Sequence, residues 1–171
     1  HQGTKKVRRI SELQWKVVIE TAEAKANAEP ADQKKHARTL FILSALYGMY
    51  LRISELAATP RWTPLMNDFS KDHEGQWWFT TVGKGNKERQ IAVSKTMLSA
   101  LKKWRTRLEL SPPLPLPNDN SPLIPKIHGN GPVKDKRHLR WIVQQCFDEA
   151  VEVLRSKGLN NDAEELLSLI H

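Results

Sequence analysis

Apolar positions along this chain recur at two spacings, and the switches between them predict its elements. From Ser11 the spacing is helical to about Ala28, and Gln14, three residues on, completes a capping box. Glu29-Pro30-Ala31-Asp32 breaks that helix. A second helix is expected from about Gln33 to Tyr50. Its middle, Leu40-Phe41-Ile42-Leu43, is apolar nearly all round and predicts burial, while Gly48 should loosen its end. A short helix is expected from Ile53 to Ala58, stopped by Pro60 and Pro64. The pattern then changes. Trp77–Val82 is aromatic and β-branched, Gly83–Lys87 reads as a turn, and Arg89–Val93 alternates, so these residues predict a β-hairpin with a basic tip. One more short strand is expected near Leu65-Met66. Helical spacing returns after Ser94, with Met97, Leu98, Leu101, Trp104 and Leu108 as the apolar stripe and Lys102, Lys103, Arg105 and Arg107 on the rest. Residues 111–125 hold six prolines and predict an extended loop. The last long helix, about Lys134 to Lys157, has Leu139, Ile142, Val143, Cys146, Phe147, Val151 and Leu154 on one face and Gly158 as its cap. Another helix should begin after Asn160 or Asn161. The expected fold is mainly α with a small antiparallel β-sheet. It lacks the βαβ alternation of a nucleotide-binding sheet.

Composition adds a partner class to that outline. With 27 Lys and Arg against 19 Asp and Glu, the net charge is +8, which favours a polyanion such as nucleic acid. The single cysteine, Cys146, excludes an internal disulfide and a cysteine-based zinc site, and cytosolic chemistry fits. Its place on an apolar face predicts core packing. No apolar run approaches the roughly 18 residues that span a bilayer. His36, His73 and His128 have no metal spacing, and no metal or other cofactor is expected.

Two segments carry chemistry: Tyr50-Leu51-Arg52-Ile53-Ser54-Glu55-Leu56 and Gly83-Lys84-Gly85-Asn86-Lys87-Glu88-Arg89. Each alone is ordinary, since Arg and Glu at i and i+3 make a common helix pair and Gly-Lys-Gly a common turn. Together, in this order, in a basic helical domain, they resemble the tyrosine recombinase (phage-integrase) family. The first resembles the box of its first catalytic arginine. The second is similar to the hairpin turn whose lysine enters its active site. The opening helix and the last long helix are similar to those of the family's catalytic domain.

The resemblance implies a DNA-joining enzyme. A tyrosine attacks a phosphodiester, leaving a 3′-phosphotyrosyl bond, so no nucleotide cofactor is required. Arg52 would stabilise charge on the phosphate, and Glu55 would orient Arg52 from behind. Lys84 would protonate the leaving 5′-oxygen. Lys87 and Arg89 would touch the DNA backbone. Arg137-His138-Leu139-Arg140 resembles the family's second box, His-x-x-Arg, but is one residue short and opens the long helix instead of following it. It predicts phosphate contacts from Arg137 and Arg140 and a solvent- or DNA-facing His138. His171 would be the first histidine of the true box. Residues 1–171 would then be the N-terminal and central part of one catalytic domain, lacking the second arginine and the nucleophile. Tyr47 and Tyr50 are expected to pack within the second helix. The whole protein would bind double-stranded DNA as a homotetramer on paired sites, and this piece would bind without cutting. The alternative is a non-catalytic helical DNA-binding module; an RNA-binding domain rests on charge alone.

Overall fold

The computed structural model describes residues 10–28 and 30–170. The basic run before Ile10 and His171 lie outside them. Eight elements follow the predicted order: α1 (Glu12–Ala28), α2 (Gln33–Met49), β1 (Phe69–Lys71), β2 (Trp77–Val82), β3 (Glu88–Ala92), α3 (Lys95–Arg107), α4 (Lys136–Ser156) and α5 (Asn160–Ile170).

The helices start where local chemistry starts them. Ser11 Oγ accepts from the Gln14 amide at 3.1 Å and Gln14 Oε1 accepts from the Ser11 amide at 2.8 Å, the reciprocal pair of a capping box. The buried Gln14 also donates to the carbonyl of Asp162 at 3.2 Å, tying the first turn of α5 to α1. Ser94 caps α3 through the Met97 amide and Asp135 caps α4 through the Arg137 amide. At the far end of α4, Gly158 takes φ +77° and Leu159 donates to the Leu154 carbonyl, closing the helix in the expected glycine motif.

Burial follows the apolar spacing. All seven residues predicted on the α4 face are buried, and α2 contributes Phe41, Ile42, Leu43 and Ala45 to the same core as Val17 and Val18 of α1. Cys146 packs there as expected. Burial pushes its thiol up to about 12, with Glu149 adding to the rise, so it stays protonated and unreactive.

Four local expectations need correction. Gly48 does not loosen α2; it is helical, and a Cβ there would sit 3.2 Å from Met97 Sδ, so its bareness lets α3 approach. The helix expected from Ile53 to Ala58 shortens to a single turn, Ile53–Glu55. Leu56, Ala57 and Ala58 are buried beyond it, and the Ala58 amide donates to the carbonyl of Val133 at 3.2 Å instead of continuing a helix. The third strand of the sheet is Phe69–Lys71, and Leu65 makes only an isolated antiparallel bridge to Pro122, after which the Asp68 carboxylate takes the Leu65 amide and the chain turns. Arg105 was expected on the polar side of α3, yet it is 0% exposed.

The sheet is antiparallel in the order β1-β2-β3, with Phe69 opposite Phe79 and Phe79 opposite Ile91. The Phe69 and Phe79 rings lie 4.6 Å apart on the inner face, a cross-strand pair that fixes the register. The proline-rich segment is irregular, as predicted, but firmly held. Trp104 Nε1 donates to the Leu123 carbonyl at 2.9 Å, and Leu123 donates back to the Pro64 carbonyl at 2.9 Å. Arg105 donates to the Asp119 carboxylate at 2.7 Å and to the Pro112 carbonyl. Burial pushes the Asp119 carboxyl up, but hydrogen bonds from Ser121 and Arg105 outweigh it and hold the group below its ordinary value.

Candidate active site

The site begins where α2 ends. Tyr50 leaves the helix at φ +54°, a left-handed conformation uncommon for a side chain other than glycine, and this turns the chain sharply. Leu51 then drops into the core, which leaves Arg52 pointing outward from an extended backbone. The following turn closes through Glu55, whose amide donates to the Arg52 carbonyl at 2.9 Å.

Glu55 is the hinge of the arrangement. Its carboxylate is buried and accepts the Arg52 amide at 2.9 Å. Both of its oxygens also lie 3.1 Å from Nη2 of Arg89 on β3. Glu55 therefore fixes the Arg52 backbone, and not its guanidinium, while Arg89 neutralises the buried charge. No carboxylate among the described residues is paired with the guanidinium of Arg52, which is left for another anion. The expectation that Glu55 supports Arg52 thus acquires a different geometry. Arg89, expected at the DNA backbone, is half-exposed and tied to Glu55.

The hairpin brings the second group. Gly83 donates to the Lys87 carbonyl at 2.9 Å, and Gly85 at φ +74° and Asn86 at φ +60° complete a tight tip. Lys84 stands exposed on that tip, and Gly83 lies over Glu55, where an added Cβ would be 3.6 Å from Oε2. Arg52, Lys84, Lys87 and Arg89 line one open cleft of about 950 Å³. Arg61 joins them, so five cations face two carboxylates, Glu55 and Glu88. A cleft with this excess focuses positive potential and draws anions in, and guanidinium and ammonium donors suit a phosphate.

No protein-family model matches the chain. It is 31% identical over 125 residues to tyrosine recombinase XerD of Brucella abortus biovar 1 (strain 9-941), and equally so to that of Brucella melitensis biotype 1 (strain ATCC 23456 / CCUG 17765 / NCTC 10094 / 16M). The match covers 73% of this chain and 36% of the relative. The chain belongs to the tyrosine recombinase family. It spans about a third of the length of the curated relatives it matches. Among solved structures, the XerH site-specific recombinase bound to palindromic difH substrate, in a post-cleavage complex, superposes with a TM-score of 0.57 at 22% identity. That match covers 96% of this chain and 41% of the other. A pre-cleavage XerH complex with difH gives a TM-score of 0.55 at 20% identity. These likenesses show a shared fold.

Arg137 and Arg140 are exposed at the start of α4 and do not line the cleft. His138 is exposed too, stacked on Trp141 at 6.0 Å. Tyr47 packs on Trp15 with ring centroids 4.9 Å apart, as expected. Tyr50 does not pack: it is 81% exposed and lines the cleft, because the left-handed turn swings it off the helix. Nothing in the sequence marks Arg61 and Trp62, which reach the cleft because Thr59 turns the chain back through its bonds to Trp62.

Proposed function

We propose that this chain is the N-terminal and central part of the catalytic domain of a site-specific recombinase, which cuts and rejoins double-stranded DNA through a 3′-phosphotyrosyl intermediate. One observation supports this most: Arg52 from the end of α2 and Lys84 from the hairpin tip face one basic cleft, joined through Glu55 and Arg89. In this reading a scissile phosphate sits between them. Arg52 offers its fork of donors to the non-bridging oxygens as charge builds there. Lys84 gives a proton to the leaving 5′-oxygen. Glu55 is a positioning residue, holding the Arg52 backbone from inside. Lys87, with Arg137 and Arg140 on α4, adds backbone contacts, which contribute affinity without sequence choice. The nucleophilic tyrosine is neither Tyr47 nor Tyr50, so this chain alone binds DNA and does not cut it. The whole protein works as a homotetramer on paired sites, and His171 begins its second catalytic box.

A nicked suicide duplex tests the reading in the full-length protein carrying this chain. Covalent protein–DNA complex should accumulate, and Arg52→Ala should slow it about 10²–10³-fold. Lys84→Ala should also slow it, and a duplex with a sulfur leaving group, which needs no proton, should restore the rate. Tyr50→Phe should leave trapping intact. Trapping at the normal rate in Arg52→Ala would remove that arginine from the chemistry. If the full-length protein traps nothing yet binds the duplex, the non-catalytic DNA-binding reading replaces this one.

A further inference from the structure

A second basic hollow shares no residue with the cleft. It lies among the C-terminal half of α1, the first half of α2, the 126–134 segment and the first half of α4, with a volume of about 660 Å³. Val133 lines it, and Ala58, whose amide donates to Val133, adjoins Thr59 in the wall of the cleft. The hollow contains Arg38, which is 5% exposed. Its Nη1 donates to the Pro125 carbonyl at 3.3 Å, and its Nε has no hydrogen-bond partner. Among the described residues no carboxylate pairs with it. Burial, unopposed, pulls its guanidinium below the ordinary value.

The carboxylates in the rest of the lining are paired with other cations. Lys35, Lys126 and Lys134 face the hollow. Of its carboxylates, Glu149 is paired with Lys25, while Asp135 caps α4 and sits 3.5 Å from Arg137. A cation taken out of water carries a desolvation penalty that a bound anion would offset, and no carboxylate of the described residues is paired with Arg38.

We propose that this hollow is a second anion site, in which Arg38, with Lys126 and Lys134 at the mouth, takes a phosphate group. The space exceeds what a bare phosphate fills, so the group belongs to a larger body. Two sources share this chemistry: a backbone phosphate of the duplex, which rests on the function proposed above, and a free phosphorylated molecule. The site itself requires only the phosphate.

The test compares the chain with Arg38→Met, with the exposed pair Lys126→Ala/Lys134→Ala, and with Arg52→Ala/Lys84→Ala. The first probe is inorganic pyrophosphate against chloride at matched ionic strength, read as a shift in thermal midpoint. Pyrophosphate should raise the midpoint of the chain and of Arg52→Ala/Lys84→Ala. The rise should vanish in Arg38→Met and shrink in the lysine pair. The second probe is a labelled 30-base-pair duplex (about three helical turns), read as affinity against salt. If the phosphate comes from the duplex, the salt slope in Arg38→Met should fall by about 0.9, the worth of one phosphate. An unchanged slope with an Arg38-dependent pyrophosphate shift assigns the site to a free ligand. A chain that binds no duplex but keeps that shift would sink the DNA reading and leave this site standing. If neither the pyrophosphate shift nor the duplex slope responds to Arg38→Met, or, should that variant not fold, to the lysine pair, the proposal is overturned.

Discussion

Two of the described arginines are buried, and they are buried on opposite terms. Arg105 on α3 has the Asp119 carboxylate at 2.7 Å and the Pro112 carbonyl at 2.9 Å from Nη2. Its donors are answered from within the chain, and its work is to hold the proline-rich segment against α3. Arg38 on α2 is nearly as deep, yet it has one carbonyl and no carboxylate. The first belongs to the architecture, the second to whatever enters from outside. Burial alone does not tell a structural cation from a binding one; the count of answered donors does.

The comparison can be broken most forcefully at Asp119. Asp119→Ala strands Arg105 in the interior and should cost about 3 kcal/mol, the lower end for a broken buried pair, read as the midpoint and slope of urea unfolding. A loss under about 1 kcal/mol would mean that water reaches Arg105 and that the contrast with Arg38 is false. Next in size is the acid response. Because the folded Asp119 carboxyl titrates below its ordinary value of 3.8, its contribution is complete above that pH and disappears as pH falls through the lowered value. Stability should therefore fall off in acid, and the double variant Arg105→Met/Asp119→Leu should flatten that limb; an unchanged limb would place the acid sensitivity elsewhere. At neutral pH the same double variant should stay within about 1–2 kcal/mol of the parent, since apolar replacement of both partners of a buried pair is often neutral. The smallest effect is expected at Arg38. In chloride, Arg38→Met should change the unfolding free energy by no more than about 1 kcal/mol, and in either direction, because a lost hydrogen bond offsets a relieved charge. A cost of about 3 kcal/mol, like that of Asp119→Ala, would show that Arg38 has an internal partner after all.

Neither arginine was distinguishable in the sequence. Helix periodicity puts Arg105 among Lys102, Lys103 and Arg107, where it looks solvated; only the return of the chain through Pro112 and Asp119 buries it. Sequence patterns carry local rules well, and so the caps at Ser11, Ser94 and Gly158, the β2 strand and the α4 face were all readable. Arg52 and Lys84 stand out in the sequence only through the family resemblance of their two segments, since each turn alone is ordinary, and the fold brings both to one cleft. What joins them was not readable. Glu55 and Arg89 are far apart in sequence, and a carboxylate among many cations does not announce which one it binds. Tyr50 shows the converse failure. Helical spacing assigns it to a buried helix, but its left-handed conformation ends α2 and turns the ring out to solvent.

The hydrogen bond from Ala58 to Val133 is a single backbone contact, yet each basic hollow draws on one of the segments it joins. Arg52 lies six residues before Ala58 and Lys134 one after Val133. Linkage then sets a strict condition on the two hollows. If an anion on one side strengthens or weakens binding on the other through this shared strut, the second must return the effect in equal measure. Measuring the coupling from either side gives the same free energy, and any difference between the two would rule out a simple two-site equilibrium.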